Sequence, residues 1–353
     1  MTVRLKPLSE QVVLITGASS GIGLATARAA ARRGAAVVLV ARTEAALSSI
    51  VEGIQAGGAR AAYAVADVGV LAEVEAAAGL AVERFGRIDT WVNCAGVAIY
   101  AKLVDTPAHE HERLIETNYF GAVHGALNGV RHLRDRGGAL ITVGSIASDF
   151  PSPIMGAYAA SKHAAKAYIE SLRIEINAER LPISVTLIKP SGTNTPIAEH
   201  AANHQDGEAL IPPPVYDPDL VAEAILDAAE KPRLDVTVGG VGRLQALAAT
   251  HFPGLYARFG GAVAPLLSDP KRQKTTSDNL DAARAEARER SLHESGRTFS
   301  LYAPISRGPL VPVVAGLAVT LGLALLVSRK SASSGDAKTP TTLPKPRVQQ
   351  KKR

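Results

Sequence analysis

Apolar residues over the first 240 positions alternate between two patterns. Short, continuous, β-branched runs such as "VVLIT" (12–16) and "AVVLVA" (36–41) suit parallel strands covered on both faces. Between them "GIGLATARAAARRG" has helical periodicity, with Arg32 and Arg33 in its last turn and Gly34 as its stop. The alternation predicts further strands at 60–67, 88–93, 139–145, 183–190 and 234–240. It predicts further helices near 43–56, 70–85, 108–134, 156–180 and 217–230. Repeated strand–helix units of this kind form a doubly wound parallel α/β sheet.

The pattern breaks at 194–216, "NTPIAEHAANHQDGEALIPPPVY", after a late strand, where such sheets place ligand crevices. A long insertion there reads as a substrate loop. Residues 1–267 are expected to form the folded domain, loop included. Residues 268–307 read as a charged linker, partly helical around 278–293. Then "GPLVPVVAGLAVTLGLALLVS" (308–328) runs without a charge, long enough as a helix to span a bilayer core of roughly 30 Å. It is expected to cross or embed in a membrane, and 329–353 to form a basic tail.

Composition narrows the options. The formal net charge is +6, but the tail alone holds eight basic residues against Asp336, leaving the rest near neutral. The domain therefore gives no reason to expect nucleic-acid binding. Cys94 is the only cysteine, so no intramolecular disulfide can form, which fits a reducing compartment. The N-terminus lacks the apolar run of a secretory leader. A single crossing would put domain and tail on opposite sides, whereas basic tails favour the cytoplasm. A membrane-associated domain on the cytoplasmic side is the expectation. Basic residues beside the apolar stretch would also attract anionic lipid heads.

"TGASSGIG" (16–23) joins the first strand to the first helix. Gly17 permits a tight turn, and Gly21 and Gly23 let the backbone approach a pyrophosphate at the helix N-terminus. Ser19, Ser20 and Ile22 complete this candidate cradle. The second strand ends in Ala41–Arg42, with no carboxylate until Glu44. A guanidinium there suits a 2′-phosphate, which favours NADP(H) over NAD(H).

These residues, with "DV" (67–68), "NCAG" (93–96), Asn118 in "ETNYFG", Ser145 in "VGSIAS", and "YAASK" (158–162), resemble the short-chain dehydrogenase/reductase family over about residues 8–240. The resemblance implies a Rossmann-like sheet in order 3-2-1-4-5-6-7 and NAD(P)-dependent interconversion of an alcohol and a carbonyl. It implies Asp67 and Val68 near the adenine, Asn93, Ala95 and Gly96 along the cofactor wall, and Pro190 and Thr195 toward the nicotinamide. It implies association through the helices at 108–134 and 156–180. Cys94 departs from the family's second asparagine. Ser191 intervenes between Pro190 and Gly192, which puts the local loop shape in question.

On a helix, Tyr158, Lys162, Ala165, Ile169, Leu172 and Ile176 fall within about 40° of one line. Lys162 thus shares an apolar face that a solvated lysine would avoid. Together with the resemblance, this makes Tyr158 the proton donor to a substrate carbonyl, or acceptor in reverse. Lys162 would lower the phenol's pKa and hold the nicotinamide ribose. Ser145 would donate to the substrate oxygen. The resemblance gives Asn118 the task of holding a relay water behind Lys162. No metal is expected. A membrane-anchored enzyme suggests a lipophilic substrate. A cofactor-sensing module without catalysis, and a redox-assisted isomerase or lyase, remain alternatives.

Overall fold

The computed structural model describes residues 3–300, apart from 276, 285, 286, 293 and 294. Seven apolar runs form a parallel sheet: β1 (Val12–Thr16), β2 (Ala36–Ala41), β3 (Ala61–Val65), β4 (Thr90–Asn93), β5 (Gly138–Val143), β6 (Ile183–Pro190) and β7 (Asp235–Val238). Their order is 3-2-1-4-5-6-7, as the resemblance implied. β1 pairs with β2 from Val12↔Ala36 to Thr16↔Val40, and with β4 from Val13↔Thr90 to Ile15↔Val92. The chain reverses its winding between β1 and β4. That crevice lies at the strands' C-terminal ends, where such sheets bind ligands.

Both faces are covered. α1 (Gly21–Arg32), α2 (Glu44–Ala56) and α7 (Pro218–Glu230) bury Leu24, Leu47 and Ile225 on one side. On the other, α3 (Leu71–Phe85), α5 (Gly121–Leu133) and α6 (Gly156–Ala178) bury Val74, Leu133 and Ile169. Each fully buried Leu or Ile contributes about 1.5–3 kcal/mol. Double coverage is why β1 and β2 are apolar at consecutive positions instead of alternating. Alanines 27, 29, 30 and 31 of α1 are buried, and their small side chains let α1 lie close to its neighbours.

Four features differ from the sequence reading. The helix expected over 108–134 is two helices, α4 (Ala108–Ile115) and α5, joined by a π-helical turn, Glu116–Phe120. The π turn inserts one extra residue per turn without disturbing the apolar stripe on either side, so periodicity does not show it. Three elements were not anticipated: α8 (Gly240–His251), α9 (Pro253–Phe259) and a 3₁₀ stretch, Gly260–Leu267. Loop 194–216 is tied down. Ala202–Asn203 pairs with Ile99–Tyr100, and Glu208–Ala209 with Ser268–Asp269. Finally, the expected linker holds no helix among its described residues. It lies on the domain through backbone pairing and ion pairs.

Segment 308–328, read above as a membrane helix, and the basic tail lie outside the described residues. Among the described residues no helix is long and apolar enough to cross a membrane.

Candidate active site

The turn after β1 is built for close approach. Gly17 has φ +67°, and a Cβ there would lie 2.6 Å from Ala95 Cα. A Cβ on Gly23 would meet the Gly17 carbonyl at 2.2 Å. Only glycine lets α1 start this tightly against the turn. The turn is locked to β4, because the Cys94 and Ala95 N–H groups donate to Thr16 Oγ1 at 3.0 and 3.2 Å.

α6 supplies the acid and its companion. Four helical residues turn the chain by about 400°, so Tyr158 and Lys162 share a face. Both are buried, as are Ala165, Ile169 and Ile176, while His163 is exposed. Lys162 Nζ donates to the Val143 carbonyl at 3.2 Å. It stands 5.7 Å from the centroid of the Tyr158 ring. Ser145 follows β5 and caps the short turn Ile146–Ser148, its Oγ accepting from Ala147 N–H at 3.1 Å. Its side chain also acts on the Tyr158 phenol, pulling its pKa down. A Cβ on Gly96 would lie 3.4 Å from both Lys162 Nζ and Asn118 Oδ1, so Gly96 brings backbone between them.

Burial raises the Tyr158 phenol, and Ser145 offsets only part of this. The Lys162 amine lies over the Tyr158 ring and donates to the Val143 carbonyl. Lys162 itself is lowered to about 8 by burial. The Cys94 thiol is pushed up to about 12 by burial, so it stays protonated and is no nucleophile.

One cleft of about 730 Å³, within the range of small-molecule sites, joins these groups. It is lined by Gly17, Ser19, Ser20, Gly21, Ile22, Gly23, Arg42, Asp67, Val68, Ala95, Gly96, Ser145, Tyr158, Lys162, Pro190 and Thr195. Two expected residues are not in its wall. Asn93 is buried beneath it, its Oδ1 accepting from Trp91 Nε1 at 2.8 Å and its Nδ2 donating to Ala122 O and Thr142 Oγ1. It braces β4 against β5 and α5. Asn118, in the π turn, accepts from Val97 N–H and donates to Val97 O and Ser161 Oγ, each at 2.9 Å. With its amide committed three ways, Asn118 acts as a brace behind Gly96.

The Ser191 departure has a local answer. Ser191 Oγ donates to Gly239 O at 3.1 Å, and a Cβ on Gly239 or Gly242 would fall 2.6 or 2.5 Å from that oxygen. Two glycines at the start of α8 thus make room for the serine.

At the far end of the cleft, burial pushes the Asp67 carboxyl up. Hydrogen bonds from Arg113 and from Gly69 N–H outweigh it and hold the group below its ordinary range. Arg42 is not free: its guanidinium donates to the carbonyls of Asn279, Leu280 and Asp281. Residues 279–284 and 287–292 run along the cleft mouth as a strap. Asn279, Ala283 and Arg284 line the cleft itself. Sequence reasoning missed them, because Leu280 and Leu292 are the only large apolar residues in the stretch.

A glycine cradle at a helix start and a long cleft fit a dinucleotide. The family profile described as short chain dehydrogenase matches residues 11–206. The chain is 38% identical over 326 residues to the "Uncharacterized oxidoreductase YxnA" of Bacillus subtilis, covering 89% of this chain and 91% of that protein. An alcohol dehydrogenase from the archaeon Thermococcus sibiricus, complexed with 5-hydroxy-NADP, superposes with TM-score 0.57. Its identity is 27%, over 65% of this chain and 95% of that one. A short chain dehydrogenase/reductase from Burkholderia phymatum in complex with NAD shares the fold. Its TM-score is 0.66 at 24% identity, over 71% of this chain and 96% of that one. The chain therefore belongs to the short-chain dehydrogenase family, and it is an oxidoreductase that uses a nicotinamide dinucleotide.

Proposed function

We propose that this chain is an NADP(H)-dependent oxidoreductase interconverting a secondary alcohol and the carbonyl of a lipophilic substrate. The observation that carries this reading is Tyr158, buried in the wall of the same cleft as Ser145 and the phosphate turn. When bound, the dinucleotide supplies or accepts the hydride. Tyr158, kept protonated by burial, donates a proton to the substrate oxygen. Ser145 donates a hydrogen bond to that oxygen as charge builds. Lys162, buried with a pKa of about 8, provides an ammonium at neutral pH to hold the nicotinamide ribose. A phenol raised by burial favours the reducing direction at neutral pH, since oxidation needs the phenolate.

Two observations support the finer calls. Arg42, with no acid on the strand end, supports NADP(H). The substrate end of the cleft is lined by Ile211, Val241, Leu244, Phe259, Val263 and Leu266, which supports an apolar substrate. Attachment of 308–328 to a membrane, with the domain on the cytoplasmic side, fits that substrate class. So do exposed Leu244, Phe252, Leu255 and Phe259 near the cleft, in a stretch (239–267) without a carboxylate. Exposed Phe120, Leu127 and Ile174 support a homodimer through α5 and α6.

The decisive test is a panel of lipophilic and polar ketones run with NADPH and with NADH, followed by absorbance. Consumption of NADPH with an apolar ketone, lost in Tyr158→Phe, is the expected result. Binding without consumption across the panel would make the chain a sensor. Product formation without net consumption would make it an isomerase or lyase.

A further inference from the structure

The strap lies outside the segment that matches the family, yet it meets the cleft at three levels. At the adenosine end its carbonyls accept from Arg42, and Arg113 Nε donates to Leu280 O at 2.9 Å. In the middle, Thr43 Oγ1 donates to Arg284 O at 3.1 Å. At the phosphate turn, Gly21 N–H donates to Arg288 O at 2.9 Å. Despite these contacts, about 730 Å³ stays open, bounded by Gly17 and Tyr158 on one side and Asn279, Ala283 and Arg284 on the other. The strap crosses the mouth without filling the cleft.

Its attachment is of a kind that can let go. One apolar anchor, Leu280, is 2% exposed and packs with Val97, Ile99, Leu114 and Ala202. The remaining hold is hydrogen bonds to the strap backbone and ion pairs. Arg290 reaches Asp217 and Asp219, each at 2.8 Å; Arg288 reaches Glu199 at 3.0 Å; Arg28 reaches Glu289 at 2.8 Å. Most of these pairs are partly solvated, so each is individually weak and sensitive to salt. A segment bound by one leucine and several such pairs can open as a unit and reclose.

We propose that residues 279–284 and 287–292 are a retaining wall of the dinucleotide site. The strap closes over the adenosine and phosphate portions of the bound dinucleotide, and it must swing aside for exchange. Leu280 and Arg290, neither of which lines the cleft, then set the dissociation rate. The proposal rests on the reading that the cleft binds a nicotinamide dinucleotide.

The test uses the full chain, with NADPH and NADH as fluorescent probes. Equilibrium titration gives affinity, and stopped-flow displacement by excess NADP⁺ gives the off-rate. Leu280→Asp is expected to speed dissociation about tenfold and Arg290→Ala about threefold, since interface changes act mainly on off-rates. Raising salt should bring the wild-type off-rate toward that of Arg290→Ala. Should Leu280→Asp fail to fold, Arg290→Ala decides alone, because Arg290 itself is half-exposed. Unchanged off-rates in the variants, with wild type binding a probe, would overturn the strap and leave the dinucleotide reading intact. Tighter binding in the variants would also overturn it, since the strap would then compete with the cofactor. Wild type that binds neither probe would remove the dinucleotide reading and the strap with it.

Discussion

The catalytic face of α6 and the strap border the same cleft but are held by opposite means. Tyr158 and Lys162 sit among buried Ala165, Ile169 and Ile176, and burial sets the chemistry of both side chains. The strap has one buried leucine, and otherwise carbonyls and half-exposed ion pairs. A rigid, dry wall fixes reacting groups to within fractions of an ångström. A wet, ionic wall can open on the time scale of exchange. The two sides of the cleft thus divide the work, with chemistry on one and access on the other.

The largest effect should come from the dry side. Tyr158→Phe removes the buried phenol proton that faces the cleft, and general acid catalysis is worth roughly 10²–10⁴-fold. Turnover of a ketone substrate should fall by about 10³-fold, or about 4 kcal/mol, while NADPH affinity in a fluorescence titration stays near wild type. Near-normal turnover would break the contrast, because chemistry would then lie elsewhere.

How much of this was open to a reader of the sequence depends on what carries each feature. The alternating strands and helices, the phosphate turn and the Tyr158–Lys162 face are written in apolar period and glycine placement, whereas the sheet order followed only from the family resemblance. Asn93 and Asn118 match family motifs, but a motif does not say where an amide points. The structure turns both into braces. The strap was illegible for a physical reason. Backbone carbonyls accept hydrogen bonds whatever the side chain, so Asn279, Leu280 and Arg288 leave no residue-type signal for theirs. Charged residues such as Arg290 look the same paired or solvated. Nor does a helix face reveal how dry it is: burial raises the Tyr158 phenol and lowers the Lys162 amine.

Lys162→Met sharpens the contrast by separating activity from stability. Turnover should fall by about 10²-fold as the ribose contact is lost. The fold should nevertheless become more stable at pH 7. Lys162 is lowered to about 8 in the native state against a usual ~10.4, so the unfolded chain binds the proton more tightly. Wild-type stability is therefore highest, as far as this group goes, above about pH 10.4, and that gain is lost as pH falls through about 8. Chemical denaturation should show wild type gaining up to about 3 kcal/mol between those limits, a rise absent in Lys162→Met. A flat wild-type profile would mean that the amine is solvated, and the wall wetter than argued.

Gly23→Ala tests the cradle that both walls share. The new methyl would meet the Gly17 carbonyl at 2.2 Å, backbone that cannot step aside cheaply. A loss of about 1–3 kcal/mol in stability is expected, together with weaker NADPH binding, measured by thermal melting and titration. A variant that keeps both would show that the turn is looser than its contacts indicate.

The smallest effect probes the seam between the two walls. Arg42 extends from the strand side but donates to strap carbonyls, so it can serve the 2′-phosphate, the strap, or both. If it serves the phosphate, Arg42→Ala should lower the NADPH-over-NADH preference by about tenfold, or about 1.4 kcal/mol, and change NADH affinity little. If it serves only the strap, both cofactors should leave faster by the same factor, matching Arg290→Ala. The ratio of the two off-rate changes thus reads directly how far one guanidinium couples cofactor choice to the closing of the cleft. A ratio of one would move the selection of NADP(H) away from this strand end, toward Arg284, the strap's own cation in the cleft wall.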